Sequence, residues 1–179
     1  MIEIYAQDSF IAIMPLDGKS LPDAVRVYNC GNEARFATGH DGGISIYELS
    51  SLLERIKSSD NEFISEISIK AQGKGEDDIL RFAGLCSGIL DAGTLWIKQL
   101  SILPEYRRRG IGTRAMDVLL KYAVRSHNVR EVYLSVAEKN IAGLLFWKKL
   151  GFYETHRFEK PLFGEKIPMK VIIMQKNLP

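Results

Sequence analysis

Arg107-Arg108-Arg109-Gly110-Ile111-Gly112-Thr113 sets three guanidinium groups and two glycines just ahead of an apolar helical pattern, and that combination is able to hold an anion. The first turn of a helix leaves several backbone N–H groups without intrahelical partners, at the positive end of its dipole. Glycines at 110 and 112 let the backbone approach a phosphate with no Cβ between them, and arginines neutralise further phosphate charge. Taken alone, the segment has other readings. Glycine pairs occur in ordinary turns, and arginine runs on solvated surface. Gly110 to Ala115 also matches G-x-G-x-x-G/A, the pattern of a nicotinamide-dinucleotide oxidoreductase, with Glu131 about 20 residues on. Its context argues against that use: the preceding elements read as antiparallel, Pro104 to Arg109 separates the glycines from their strand, and Glu131 begins a strand where a ribose-binding acid belongs at the end of one. No Gly-Lys-Ser/Thr comes after the glycines, which excludes a Walker loop.

The elements that must position this loop are read from periodicity and punctuation. Ile2 to Tyr5 reads as a short strand, and Gly31, Gly39, Gly42 and Gly43 interrupt the stretch C-terminal to it. Ser45 and Glu48 form a capping box, Ile44 and Leu49 a hydrophobic staple, and Leu49, Leu52, Leu53 and Ile56 one helical stripe ending near Ser58. Phe63 to Ala71 reads as a half-buried strand, with Ile67, Ile69 and Ala71 alternating with Glu66, Ser68 and Lys70. A Gly-rich turn from Gln72 to Asp78, a strand from Leu80 to Leu90, a tight turn at Asp91 to Thr94 and a strand from Leu95 to Leu103 complete an antiparallel meander that Pro104 ends. From Gly110 the period changes to 3.6, with Ile111, Ala115, Val118, Leu119, Tyr122 and Ala123 on one face. Val132, Leu134 and Val136 then alternate as a strand, so the helix is the right-handed crossover of a parallel β-α-β unit. Asn140 caps a further helix that stops at Gly151, and Phe152 to Glu159 and Met169 to Lys176 close the chain around a loop with Pro161, Gly164 and Pro168. The fold class is α+β, with a mixed, mainly antiparallel sheet.

The bulk numbers bound the function. A length of 179 residues with 46% hydrophobic content predicts one domain over 1–179, and the mean hydropathy of -0.07 fits a water-soluble core. Met1 to Leu16 carries Glu3 and Asp8 and no basic leader region, so neither a membrane segment nor a secretory signal is expected, and the expected location is cytoplasmic. Cys30 and Cys86 are expected to be reduced, with no metal site. A net charge of +2 and a pI near 8.5 are too mild to imply nucleic-acid binding, which leaves the arginine cluster in need of a local cause.

Leu100-Ser101-Ile102-Leu103-Pro104-Glu105-Tyr106, followed by Arg107-x-x-Gly110-x-Gly112, closely resembles motif A of the GNAT acetyltransferases, whose signature is Q/R-x-x-G-x-G/A after such a strand. Asn140, Gly143, Leu144, Phe146, Trp147, Leu150, Gly151 and Phe152 are similar to the family's second segment, N-x-x-A-x-x-x-Y-x-x-x-G-F. The two motifs place the resemblance over residues 80–176. It implies a GNAT-like sheet with a central acyl-CoA-binding β-α-β unit flanked by helices, and acetyl-CoA lying where the strand at 95–103 splays from the strand at 131–136. The backbone of Leu100, Ser101 and Ile102 would run along the pantetheine. The loop Arg107, Arg108, Arg109, Gly110, Ile111, Gly112 and Thr113 would hold the pyrophosphate, with Asn140 and Trp147 touching the cofactor from the next helix. Asn140 also reads as a plain N-cap, and Leu100, Ile102 and Trp147 as core. The acceptor implied is a small-molecule or peptide amine, with no nucleic acid and no membrane, and homodimers paired through the C-terminal strands are the family's habit.

The resemblance fails at the proton-transfer positions. The family's usual tyrosine acid is Trp147 here, and an indole N–H cannot act as a general acid. Relatives that acetylate protein N-termini often carry a glutamate where this chain has Ser135. By residue type alone Glu66, Asp77, Asp78, Glu154 and His156 could serve as base, and Glu66 and His156 are the named candidates, although an outward charged residue is usually only solvated. Tyr106 is a cofactor contact or a turn residue. The loss of both side chains keeps a second reading open, an acyl-CoA-binding regulatory module without catalysis. Residues 16–59 are expected to set acceptor specificity.

Overall fold

In the computed structural model the described residues are 1–30, 43–71, 79–160 and 169–179. Gly31, Gly39 and Gly42, the Gln72–Asp78 turn with Asp77 and Asp78, and the loop with Pro161, Gly164 and Pro168 lie outside them. An eight-stranded sheet carries the chain, in the order β1-β2-β3-β4-β5-β6-β8-β7. Its strands are β1 (Ala6–Gln7), β2 (Ile11–Pro15), β3 (Glu62–Ala71), β4 (Ile79–Asp91), β5 (Thr94–Ile102), β6 (Glu131–Ala137), β7 (Tyr153–Lys160) and β8 (Met169–Asn177). The described helices are α1 (Leu21–Asn29), α2 (Ile46–Lys57), α3 (Ile111–His127) and α4 (Ile141–Lys149). Among the described strands every pair is antiparallel except β5 with β6, which α3 connects.

The meander and the β-α-β unit fall where the periodicity puts them. The β4–β5 turn places Ala92 at φ 44° and Gly93 at φ 81°, the paired left-handed geometry of a two-residue hairpin. The Ser45 hydroxyl accepts from the Glu48 N–H while the Glu48 carboxylate accepts from the Ser45 N–H, and Ile44 and Leu49 are both buried beside them. Gly151, at φ 85°, ends α4: its N–H donates to Lys148 O and that of Phe152 to Trp147 O, a Schellman pair that tucks the Phe152 ring into the core.

The first 30 residues differ from expectation. Ile2 to Tyr5 is not a strand; the strands there are β1 and β2, and Ile4 packs its side chain in the core from irregular backbone. The helix α1 comes next, unread in the sequence because Pro22 stands in its first turn and Ser20 makes no side-chain cap. It buries Leu21, Ala24, Val27 and Tyr28. That helix also changes β3. With α1 and α2 over the sheet's second face, Glu66 is only 8% and Ser68 only 1% exposed, so the outward half of the strand is covered rather than solvated.

The two faces hold two apolar clusters. One, under α3 and α4, joins Phe63, Ile67, Leu95, Ile97, Leu119, Val132 and Leu134. The other lies between α1, α2 and the sheet around Leu16, Leu49, Ile64 and Leu85. Residue parity along β5 changes in mid-strand: Gly88 faces Ile97 and Ser87 faces Gln99, leaving Lys98 as a bulge. Leu95 and Ile97 therefore point to the α3 face, whereas Gln99 points to α1.

Close approach of β4 to the end of β5, where Gly84 faces Ile102, requires that glycine, since a Cβ there would collide with the Ser101 carbonyl oxygen and press on Ile102. Gly84→Ala is expected to lower the unfolding free energy by about 1–3 kcal/mol in urea titration. Gly18→Ala, which meets open space, should stay within about 0.5 kcal/mol. The bulge is also pinned by charge. Glu62 accepts from Arg55 of α2 at 2.8 Å and from Lys98 at 2.7 Å, and these cations hold its carboxyl at about 2, below the usual 4.5. A depressed carboxyl stabilises the fold above its unfolded value and loses that contribution as pH falls toward the folded one. Stability should thus decline from pH 4.5 toward 2, and Glu62→Gln should flatten that limb of the acid-denaturation curve.

Candidate active site

The β5–β6 ladder runs from Thr94–Glu131 to Ile97–Leu134 and stops there. Past it β5 continues to Ile102 against β4 alone, and β6 to Ala137 against β8 alone, so the sheet opens into a wedge between the two strands. A slot of about 250 Å³ fills the wedge. Its walls are Lys98 to Ile102 on one strand and Leu134, Ser135 and Val136 on the other, closed by Asn140, Phe146 and Trp147 of the α4 region and by Val27 and Cys30 of α1. Lining residues from both faces of the sheet make it a passage through the sheet.

A second, larger cleft of about 940 Å³ adjoins it, sharing Ile102, Arg107, Gly112, Asn140, Ala142 and Phe146. Here β5 has ended in the short turn Pro104–Tyr106, and Gly110, at φ 78°, caps α3 with no side-chain cap and no acid in the first turn. The N–H groups of Ile111, Gly112 and Thr113 are therefore left for another acceptor. Arg108, Lys139 and Lys149 line the same cleft with Arg107; among its described lining residues every charged one is a cation. Backbone donors, a helix N-terminus and cations on both sides suit a diphosphate. Arg108 sits at φ 61°, a left-handed conformation that costs a residue with a Cβ on the order of 1–2 kcal/mol.

α4 delivers its residues through its caps. The Asn140 amide oxygen accepts from the Gly143 N–H at 2.9 Å, so the N-cap reading holds while Asn140 also lines both clefts. Trp147 is 8% exposed and meets Phe146 and Phe152 edge-on, at centroid distances of 4.9 and 5.2 Å, which fixes the indole as one wall of the slot. On the α1 side the Tyr28 hydroxyl donates to Gln99 Oε1 at 2.9 Å, and the Gln99 amide reaches Ser101 Oγ at 3.4 Å. Burial pushes the Tyr28 phenol up to about 12, against the smaller opposing effect of the Gln99 bond, so it stays neutral.

The structure thus brings together Leu100, Ser101, Ile102, Arg107, Arg108, Gly110, Ile111, Gly112, Thr113, Asn140 and Trp147, with Tyr106 beside them. Arg109 lines neither cleft, and Arg107 lines both while turning its guanidinium to the Ile102 carbonyl and the Cys30 thiol. Those proposed bases that fall among the described residues are elsewhere. Glu66 lies on β3, two strands from β5, accepting from Ser68 Oγ at 3.2 Å, and His156 and Glu154 lie on β7 at the far edge of the sheet. Arg157 beside Glu154 holds that carboxyl below its usual range. Val27, Cys30 and Gln99 line the slot and were missed by sequence reasoning; the spacing of Leu21, Ala24, Val27 and Tyr28 was the available signal. Among the described residues no helix is long and apolar enough to cross a membrane.

Known proteins share this fold. The structure superimposes on spermidine N-acetyltransferase from Vibrio cholerae, solved with CoA and spermine, with a TM-score of 0.77 over 95% of this chain and 96% of that one at 18% identity. A probable GNAT-family acetyltransferase from Chromobacterium violaceum gives 0.79 over 99% and 87% at 14% identity. In sequence, an N-alpha-acetyltransferase of Sulfurisphaera tokodaii is 38% identical over 32% of this chain and 35% of its own length. A spermine/spermidine N(1)-acetyltransferase of Bacillus subtilis is 26% identical over 44% and 50%. The chain thus spans between about a third and a half of the curated relatives it matches. The profile of the Acetyltransferase (GNAT) family matches residues 46–152, which covers the capped helix, the meander, the cation-lined cleft and the Schellman turn, and the chain belongs to that family.

Proposed function

We propose that the chain is an acetyl-CoA-dependent N-acetyltransferase of the cytoplasm that acylates a primary amine of a small molecule or peptide. The observation that carries this reading is the continuity of the cation-lined cleft at the start of α3 with the slot between β5 and β6. The residues fit the co-substrate. The free amides of Ile111 to Thr113, with Arg108, Lys139 and Lys149, match a pyrophosphate and its neighbouring phosphate, while exposed Ile141 and Leu145 offer apolar surface beside them. When bound, acetyl-CoA supplies the activated acyl group as a thioester. The unpaired edge of β5 at Leu100 to Ile102 orients the pantetheine arm, and a backbone N–H near Ile102 stabilises the oxyanion. Both cysteines are free, which suits a reducing compartment.

Proton handling is set by the residues that line the slot. Among its described residues there is no carboxylate and no imidazole, and Trp147 offers only an N–H that cannot ionise. With these residues the amine attacks as free base: the C–N bond forms, the C–S bond breaks to release a thiolate, which a thiol pKa of about 8.5 allows, and the proton that the nitrogen then loses goes to water or to that thiolate. Among the described lining residues the charged ones are Lys98 and Arg107, both cations, which favours an acceptor with one amine over a polycation.

Turnover is measured as free thiol released from acetyl-CoA with spermine, a neutral monoamine and a peptide with a free N-terminus. The expected result is release above hydrolysis with the monoamine or the peptide, and kcat/KM that rises with pH toward the acceptor's own pKa, unaltered by His156→Gln. Best turnover with spermine removes the acceptor preference alone. Calorimetric binding of acetyl-CoA with no turnover on any amine replaces the enzyme with the regulatory module, and tighter binding of NAD than of CoA removes both.

A further inference from the structure

Arg107 occupies the first position of the phosphate loop, yet its side chain is engaged behind it. Its Nε donates to the Ile102 carbonyl at 2.8 Å, and Nη2 reaches the Cys30 thiol at 3.4 Å. Ile102 is the last residue of β5 and lines both clefts. Cys30 is the C-cap of α1, its thiol donating to Val27 O at 3.1 Å, and both Val27 and Cys30 wall the slot from the side opposite Trp147. One guanidinium therefore joins the end of the donor strand to the acceptor-side helix, and a cation at the carboxyl end of a helix is favourable in itself.

Two neighbouring contacts work in the same direction. Tyr28 binds Gln99 at 2.9 Å, and Arg26 pairs with Glu105 at 2.8 Å, so the last turn of α1 is attached to β5 and the turn after it at Gln99, Glu105 and Arg107. The Arg26–Glu105 pair is exposed on both sides and contributes little energy. The Arg107 fork is part-buried and reaches the backbone of the strand itself.

We infer that Arg107 is a positioning residue: it holds the Ile102 carbonyl and the α1 C-terminus in register, setting the width of the passage through which acceptor meets donor, and is not a ligand of the pyrophosphate. This rests on the acetyl-CoA reading above. A shift of about 1 Å in either wall is enough to cost on the order of 100-fold in rate, because reacting atoms must be held near contact distance.

The test separates charge from fork. Lysine keeps the charge of arginine but presents no planar pair of donors. Arg107→Lys and Arg107→Gln are both expected to lower kcat, measured with the best amine of the panel, by about 10-fold or more, with the calorimetric Kd for acetyl-CoA within about 3-fold of the parent. Arg108→Gln is expected to raise that Kd by about 5-fold or more. If Arg107→Gln weakens acetyl-CoA binding as Arg108→Gln does and Arg107→Lys restores it, Arg107 is a phosphate ligand and the inference falls; parental kcat in both variants overturns it too. Should the Arg107 variants fail to fold, Cys30→Ala removes the far end of the fork. It is expected to raise the acceptor KM several-fold at unchanged Kd for acetyl-CoA, and an unchanged KM overturns the inference. A parent protein that binds no acetyl-CoA removes the functional reading and this inference together.

Discussion

Two parallel strands stay hydrogen-bonded only while their twist and register agree, and in this chain the β5–β6 ladder ends after four paired positions, at Ile97 and Leu134. Lys98 is the cause on the β5 side. As an extra residue against β4 it bends the strand and reverses the parity of its side chains, so that Gln99 faces α1 while Leu100 and Ile102 pack against the α3 cluster. Everything in the site depends on that interruption. It leaves a strand edge without a partner, it opens the slot, and it puts neutral polar groups on the acceptor side of the same strand whose other side meets the aromatic wall.

The rest of the architecture supports the wedge. Glycines at 84 and 88 let β4 lie close to β5 on either side of the bulge, where a Cβ would strike the carbonyls of Ser101 and Trp96. Glu62 ties Lys98 to α2 through Arg55. The crossover helix α3 must then begin where β5 ends, which brings its uncapped amides to the mouth of the wedge. Anion binding and acyl positioning are thus two consequences of one connection, and the left-handed backbone at Arg108 and Gly110 is the local cost of making it.

Legibility varied with the locality of the signal. The capping box at Ser45, the Ala92-Gly93 hairpin, the α3 stripe and the Gly151 terminus are each specified within a few residues, and all stand where the sequence puts them. The glycine–arginine loop had three readings from its own residues, and the antiparallel meander before it together with the Asn140 to Phe152 segment after it selected among them. The features that escaped were tertiary. The segment Ile11–Pro15, one strand in from the sheet edge, is buried at three successive residues and shows no alternation, and Pro22 disguised α1. With α1 unread, Glu66 looked solvent-facing and Val27 and Cys30 had no site to belong to. Gln99 could not be assigned to the α1 face, because the parity change at Lys98 is created by pairing with β4 and has no signature in β5 alone.

Amide hydrogen exchange of the full chain with and without acetyl-CoA reads the occupancy of the wedge. Slowed exchange is expected in two segments together, the backbone of residues 100–102 on the open edge of β5 and residues 110–113 at the start of α3, with β7 unaffected. Protection confined to residues 110–113 would contradict that occupancy, since an anion would then be held at the helix without any chain entering the wedge.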